Sequence, residues 1–102
     1  MSFRVVLRGA AERDLEEIQD WYELQRTGLG AEFRSAASEA ISRIAASPLH
    51  YPDLYRGNRR VLFRRFKYAF WYRVQGELIV VLCCVHGHRG PRYLKNRLGG
   101  GA

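Results

Sequence analysis

The spacing of apolar residues changes several times along this chain, and each change marks an element. Residues 3–8, "FRVVLR", are short, rich in β-branched side chains and stopped by Gly9, which predicts a first strand. Over residues 10–25, Ala11, Leu15, Ile18 and Tyr22 recur at helical spacing. Glu12, Glu16, Glu17, Asp20 and Glu23 fall mostly on the other side, so the run reads as an amphipathic helix with an acidic outer face. "TGLG" at 27–30 ends it with a tight link. Phe33, Ala37, Ala40 and Ile44 then repeat at helical spacing until Ser47-Pro48. Ala36, Ala37, Ala40, Ala45 and Ala46 let the second helix approach the first closely, as a hairpin with so short a link requires.

After an irregular stretch, "LHYPDLYRGN", three runs read as strands: 60–65, 68–74 and 78–86. "QGE" at 75–77 is a hairpin turn, because glycine accepts the positive φ that tight turns demand. Alternation along the middle run puts Tyr68, Phe70, Tyr72 and Val74 on the face toward the helices, with Ala69, Trp71 and Arg73 facing away. The last run, "LIVVLCCVH", is apolar on both alternating sets. It is therefore either a central strand covered on both faces or one that pairs with another chain. Pro91 suits a first helical turn, so "GPRYLKNRL" forms a short helix or an arm. The order β-α-α-β-β-β predicts an α+β fold, a helical hairpin packed on one face of a mainly antiparallel four-stranded sheet. Residues 1–98 make one domain, and "GGGA" at 99–102 is a flexible tail.

Composition narrows the function classes. A chain of 102 residues, 47% hydrophobic, buries enough surface to fold as one unit without a metal or disulfide. Cys83 and Cys84, adjacent in a strand, point to opposite faces and cannot pair with each other; both read as core rather than nucleophile. With no run long and apolar enough for a leader or a membrane span, a cytoplasmic protein is expected. Charge is unevenly placed: residues 1–50 carry a net −2 and residues 51–102 a net +9. The basic half favours polyanions or an acidic protein partner. Charge alone would give only a loose, salt-sensitive nucleic-acid binder with Kd of roughly 10⁻⁴–10⁻⁶ M. No helix-turn-helix, KH or RRM pattern accompanies it, so a basic binding module is the third reading.

Four local patterns, in this order, carry a family resemblance: "AERDLEEIQDWY" in the first helix, "IAASPLHYP" at the end of the second, "FKYAFWYRV", and "VLCCVHGHRGPRYLKNR". Over about residues 3–97 the chain resembles the RelE/ParE superfamily of toxins from type II toxin–antitoxin systems. The resemblance implies a toxin neutralised by a small cognate antitoxin in a hetero-oligomer. It also implies one of two activities: ribosome-dependent mRNA cleavage, as in RelE-like members, or poisoning of DNA gyrase, as in ParE-like members.

Metal-free RNA cleavage needs a base for the ribose 2′-OH, cations for the developing phosphorane charge and an acid for the leaving oxygen. Arg60, His86 and Arg89 are the candidates if the chain is a nuclease, with His88 and Arg64 as alternates. The family's nucleases usually carry a cation directly after the tyrosine that opens the strand, where this chain has Ala69. A second cation of theirs corresponds to Leu62, and a C-terminal tyrosine of some members falls near Lys95. The expectation is therefore a ParE-like toxin with no catalytic residues, acting on gyrase by contact. Arg60, Arg64, Arg65, His86, Arg89, Arg92 and Tyr93 are its candidate target or antitoxin contacts. Nothing in the sequence calls for a cofactor, and His86-Gly87-His88 has no third and fourth ligand at metal-binding spacing.

Overall fold

A computed structural model describes residues 3–97. Its elements are β1 (Arg4–Leu7), α1 (Gly9–Gln25), α2 (Leu29–Ala46), β2 (Asp53–Tyr55), β3 (Asn58–Leu62), β4 (Tyr68–Gln75), β5 (Leu78–His86) and α3 (Pro91–Arg97). The strands form one sheet in the order β1-β5-β4-β3-β2, antiparallel except for the parallel pair β1 and β5. The architecture is the α+β one expected, and β5 is an interior strand.

The α1–α2 hairpin closes on two glycines. Gly28 has φ 92°, and a Cβ on Gly30 would stand 2.9 Å from the Gln19 carbonyl oxygen. The Glu23 carboxylate accepts the Gly28 and Gly30 N–H groups, each at 3.0 Å, which replaces the usual side-chain cap. Those backbone bonds, Gly28 first, hold the Glu23 carboxyl below its ordinary pKa. The hairpin buries Ala11, Leu15, Phe33, Ala37, Ala40 and Ile44 against Val61, Phe70, Tyr72, Ile79, Val81 and Cys84 of the sheet. Within this layer the Tyr72 hydroxyl donates to the Pro48 carbonyl at 2.6 Å, and burial pushes its pKa up to about 12.

The opposite face has a smaller cluster. Trp71, Leu82, Cys83 and Val85 lie together with Leu94 of α3. A bulge makes this possible: Trp71 pairs with Cys83 and Tyr72 with Val81, so Leu82 is the extra residue. Leu82 and Cys83 both join the α3 cluster, while Cys84 returns to the hairpin side. The two thiols thus sit on opposite faces, and burial raises both pKa values, that of Cys83 to about 11. β5 also outruns β1, whose last paired residue is Leu7 opposite Val81. Beyond it the Cys84 N–H donates to Asp14 on α1 at 3.0 Å, and the same carboxylate takes the Arg97 guanidinium at 2.6 Å. One half-buried acid therefore satisfies a strand amide and anchors α3.

Two expectations are corrected. The sheet has five strands, because Asp53–Tyr55 pairs with β3 within the stretch read as irregular. The Asp53 carboxylate accepts the Gly57 N–H at 3.0 Å, and Arg56 and Gly57, at φ 48° and 83°, turn the chain back. That turn starts β3 at Asn58, two residues earlier than expected, and β3 stops at Leu62. Arg64 and Arg65 consequently lie outside any strand, in a bend closed by the Phe63 N–H on the Tyr68 carbonyl at 2.8 Å. The tail at 99–102 lies outside the described residues.

Candidate functional site

Three chain segments meet at one end of the sheet: the end of β3, the bend at 63–67 leading into β4, and the exit of β5. The Gly87 N–H ties the β5 exit to the bend by donating to the Lys67 carbonyl, and the Arg89 N–H turns the exit itself by donating to the His86 carbonyl, each at 2.9 Å. Between them runs a groove of about 480 Å³ lined by Arg60, Leu62, Phe63, Phe66, Lys67, His86, Gly87 and His88. The Arg60 guanidinium lies over the buried Trp71 ring at 5.7 Å, with one nitrogen 3.4 Å from the Gly87 carbonyl. The Trp71 indole N–H itself has no hydrogen-bond partner.

The two histidines at the β5 exit stack on each other, with ring centroids 4.9 Å apart and planes 30° from parallel. The His88 N–H donates to Nδ1 of His86 at 3.3 Å, which leaves Nε2 of His86 to carry the ring proton in the neutral form. A shallower depression of about 350 Å³ adjoins, lined by His88, Arg89, Gly90, Arg92, Tyr93 and Asn96. There the Arg89 guanidinium sits 4.7 Å from the Tyr93 ring centroid.

The sequence-predicted candidates divide accordingly. Arg60 and His86 share the groove; Arg89, Arg92 and Tyr93 line the adjoining depression. Arg64 and Arg65 point elsewhere: Arg64 lies 3.5 Å from the Glu39 carboxylate, and Arg65 pairs with Glu32. These partners, with Arg43 on Glu39 and Arg26 on Glu32, hold both glutamates below the ordinary carboxylate pKa. For Glu32 the Arg65 bond is the larger cause, and for Glu39 the Arg43 bond. The bend is thereby fastened to α2 by its own cations.

Sequence reasoning did not include Lys67, Phe63 or Phe66 among the contact residues. Phe66 has φ 71°, uncommon for a bulky residue, and its ring is wedged against Tyr22 and Phe33 at 4.7 and 5.5 Å. No local signal announces that backbone; only the run of three aromatics around a charge cluster hints that one ring must leave the strand pattern.

The two positions where a nuclease of the resembled superfamily would carry cations prove to be cross-strand neighbours: Leu62 pairs directly with Ala69. Ala69 is fully buried, Leu62 is 51% exposed, and a Cβ on Gly87 would stand 3.1 Å from the Leu62 side chain. An aliphatic side chain occupies the groove where charge would be needed. Among the described residues no group of three or more His, Cys, Asp or Glu side chains stands together as a metal site. Nor is any helix among them long and apolar enough to cross a membrane.

The family model described as the ParE toxin of the type II toxin–antitoxin system, parDE, matches residues 5–91. The chain belongs to the ParE toxin family. Among solved structures it is similar to one described as the chromosomal ParDE toxin–antitoxin system from P. aeruginosa. That likeness has TM-score 0.74 at 18% identity, covering 82% of this chain and 95% of that one. It is also similar to one described as the toxin–antitoxin complex RelBE2 from Mycobacterium tuberculosis. Here the TM-score is 0.60 at 20% identity, covering 84% of this chain and 99% of that one. At such identities both likenesses show the shared fold. No curated protein matches by sequence. The ParE family match runs from the second residue of β1 to the first of α3, and so includes the groove.

Proposed function

We propose that this ParE-family toxin inhibits DNA gyrase by direct protein contact in the cytoplasm, without catalysis. A cognate antitoxin neutralises it by binding in a hetero-oligomer. The observation that carries this reading is the Leu62–Ala69 pair. Phosphoryl chemistry without a metal depends on cations preset around the phosphorane, and removal of one preset group typically costs about 10²–10³ in rate. At this groove an exposed aliphatic side chain over a buried alanine takes the place of two such groups. Arg60, His86, Arg89, Arg92 and Tyr93 are the contact residues, on one continuous end of the sheet. Arg64 and Arg65 contribute once a partner draws them from Glu39 and Glu32.

A second reading, ribosome-dependent mRNA cleavage, has one observation in its favour: Arg60, Lys67 and His86 line the same groove. The two readings separate in cells. With the protein expressed in bacteria, the gyrase reading expects DNA breaks and arrested replication before translation falls, relieved by co-expressed antitoxin. Cut ribosome-bound mRNA with intact DNA overturns it.

A further inference from the structure

We propose that α3 is a strap: latched to α1 through Asp14, it swings open beyond Gly87 while the rest of the domain stays folded, and each opening uncovers the Cys83 thiol. How α3 is held, how it is joined and what it covers all point this way.

The hold is slight. A helix of seven residues has no stability of its own in water, so α3 persists only through its contacts. Leu94, 1% exposed, is its one buried side chain, and among the described residues the Arg97–Asp14 pair is its only side-chain hydrogen bond to another element. Asp14 is the fixed half of that pair, because the Cys84 N–H of β5 donates to its other carboxylate oxygen at 3.0 Å. The joint is loose past one point. Gly87 is pinned, its N–H donating to the Lys67 carbonyl at 2.9 Å and a Cβ there standing 3.1 Å from the Leu62 side chain. Gly90, next to the helix, has nothing within 4 Å of a Cβ, so His88 to Gly90 join the pinned point to α3 with room to turn.

The cover is imperfect. Trp71, Leu82, Cys83 and Val85 lie beneath Leu94, and the Trp71 indole N–H is buried there without a partner. An unmet buried donor destabilises the closed state, and water satisfies it once the cover lifts. Cys83 is free and 1% exposed; burial pushes its pKa up to about 11, so the closed thiol is protonated and inert. Opening removes that burial and restores ordinary thiol reactivity. Cys84, packed under the helical hairpin, gains nothing when α3 leaves. Arg92 and Tyr93 ride on α3, so opening also carries these two contact residues away from Arg60 and His86, whatever their target.

The test treats the full chain with excess maleimide at rising urea concentrations below the unfolding transition, and fragment-ion mass spectrometry assigns the label to either thiol. Without urea Cys83 should react about tenfold or more faster than Cys84. Its rate should depend only weakly on urea, since opening α3 exposes little surface, whereas Cys84 follows the steep dependence of global unfolding. Arg97→Gln should speed Cys83 about tenfold at the same weak dependence. Gly90 lies outside the left-handed region, so alanine fits there, and Gly90→Ala should slow Cys83 about two- to fivefold by removing freedom from the open joint. Should Arg97→Gln not fold, Asp14→Asn, which keeps an acceptor for the Cys84 N–H, carries the same expectation. Equal rates and equal urea dependence for the two thiols overturn the strap, because α3 would then open only with the whole domain. A Cys83 rate unmoved by the loss of the Asp14–Arg97 pair overturns the latch, and one unmoved in Gly90→Ala overturns the joint.

Discussion

The two faces of the sheet are built to different standards. On one, two long helices bury a layer that runs from Ala11 to Ile44 on their side and from Val61 to Cys84 on the sheet's. On the other, the seven-residue α3 covers Trp71, Leu82, Cys83 and Val85, and Leu62 is left half exposed where that cover ends. The first face makes the fold stable. The second is finished only far enough to hold α3, and its uncovered end is where cations, histidines and an exposed leucine come together. Contact surface is available because the sheet is two-sided and only one side is fully covered.

Replacing a central residue on each face breaks that comparison most forcefully. Phe33→Ala opens a cavity among Tyr22, Phe63, Phe66 and Tyr68 and should cost about 3–5 kcal/mol in urea unfolding. Leu94→Ala should cost about 2 kcal/mol, at the low end for such changes, because a short helix can settle onto the smaller side chain. Equal losses would mean that α3 is as integral to the core as the hairpin.

Tyr72→Phe sharpens the picture of the covered face at smaller scale. It removes the hydrogen bond to Pro48 and should cost about 1 kcal/mol. The raised Tyr72 pKa means the neutral phenol is the favoured folded form. Its contribution is complete below the ordinary value of 10.0 and is lost as pH rises toward about 12. Urea midpoints measured across that alkaline window should fall for the native chain more than for Tyr72→Phe.

The smallest expected effect concerns the surface fastenings of hairpin and bend. Glu23, Glu32 and Glu39 all have lowered pKa values relative to the ordinary 4.5. Their contribution is complete above that value and is lost as pH falls through the lowered ones. Acid should loosen the 63–67 bend and the Gly28 link before the core unfolds, visible as early loss of hydrogen-exchange protection there. Simultaneous loss everywhere would show that the bend has no separate stability.

The legible elements are the long ones. Both helices and β4 show their spacing over eight residues or more, β5 shows as an unbroken apolar run, and the assignment of Phe70 and Tyr72 to the hairpin face follows from alternation. β2 was not legible, because three residues carry no period and their pairing depends on the Asp53–Gly57 turn. The Leu82 bulge left no trace either, since an all-apolar run fits either face. The site was half legible. Arg60, His86, Arg89, Arg92 and Tyr93 can be named as candidates from the sequence, and so can Arg64 and Arg65, but a strand over 60–65 gives those two the wrong setting. Their partners Glu32 and Glu39 come from a helix more than twenty residues away. Leu62 and Ala69 each looked like an isolated departure; only the strand register shows that they are one apolar patch.

Titrating the purified toxin into DNA gyrase while following negative supercoiling, with mRNA on ribosomes as a parallel substrate, tests contact against chemistry most directly. Inhibition that saturates when toxin and gyrase are equimolar, with the mRNA intact, is the predicted result. Cleaved mRNA at substoichiometric toxin, lost in His86→Ala and accompanied by normal supercoiling, would contradict the account.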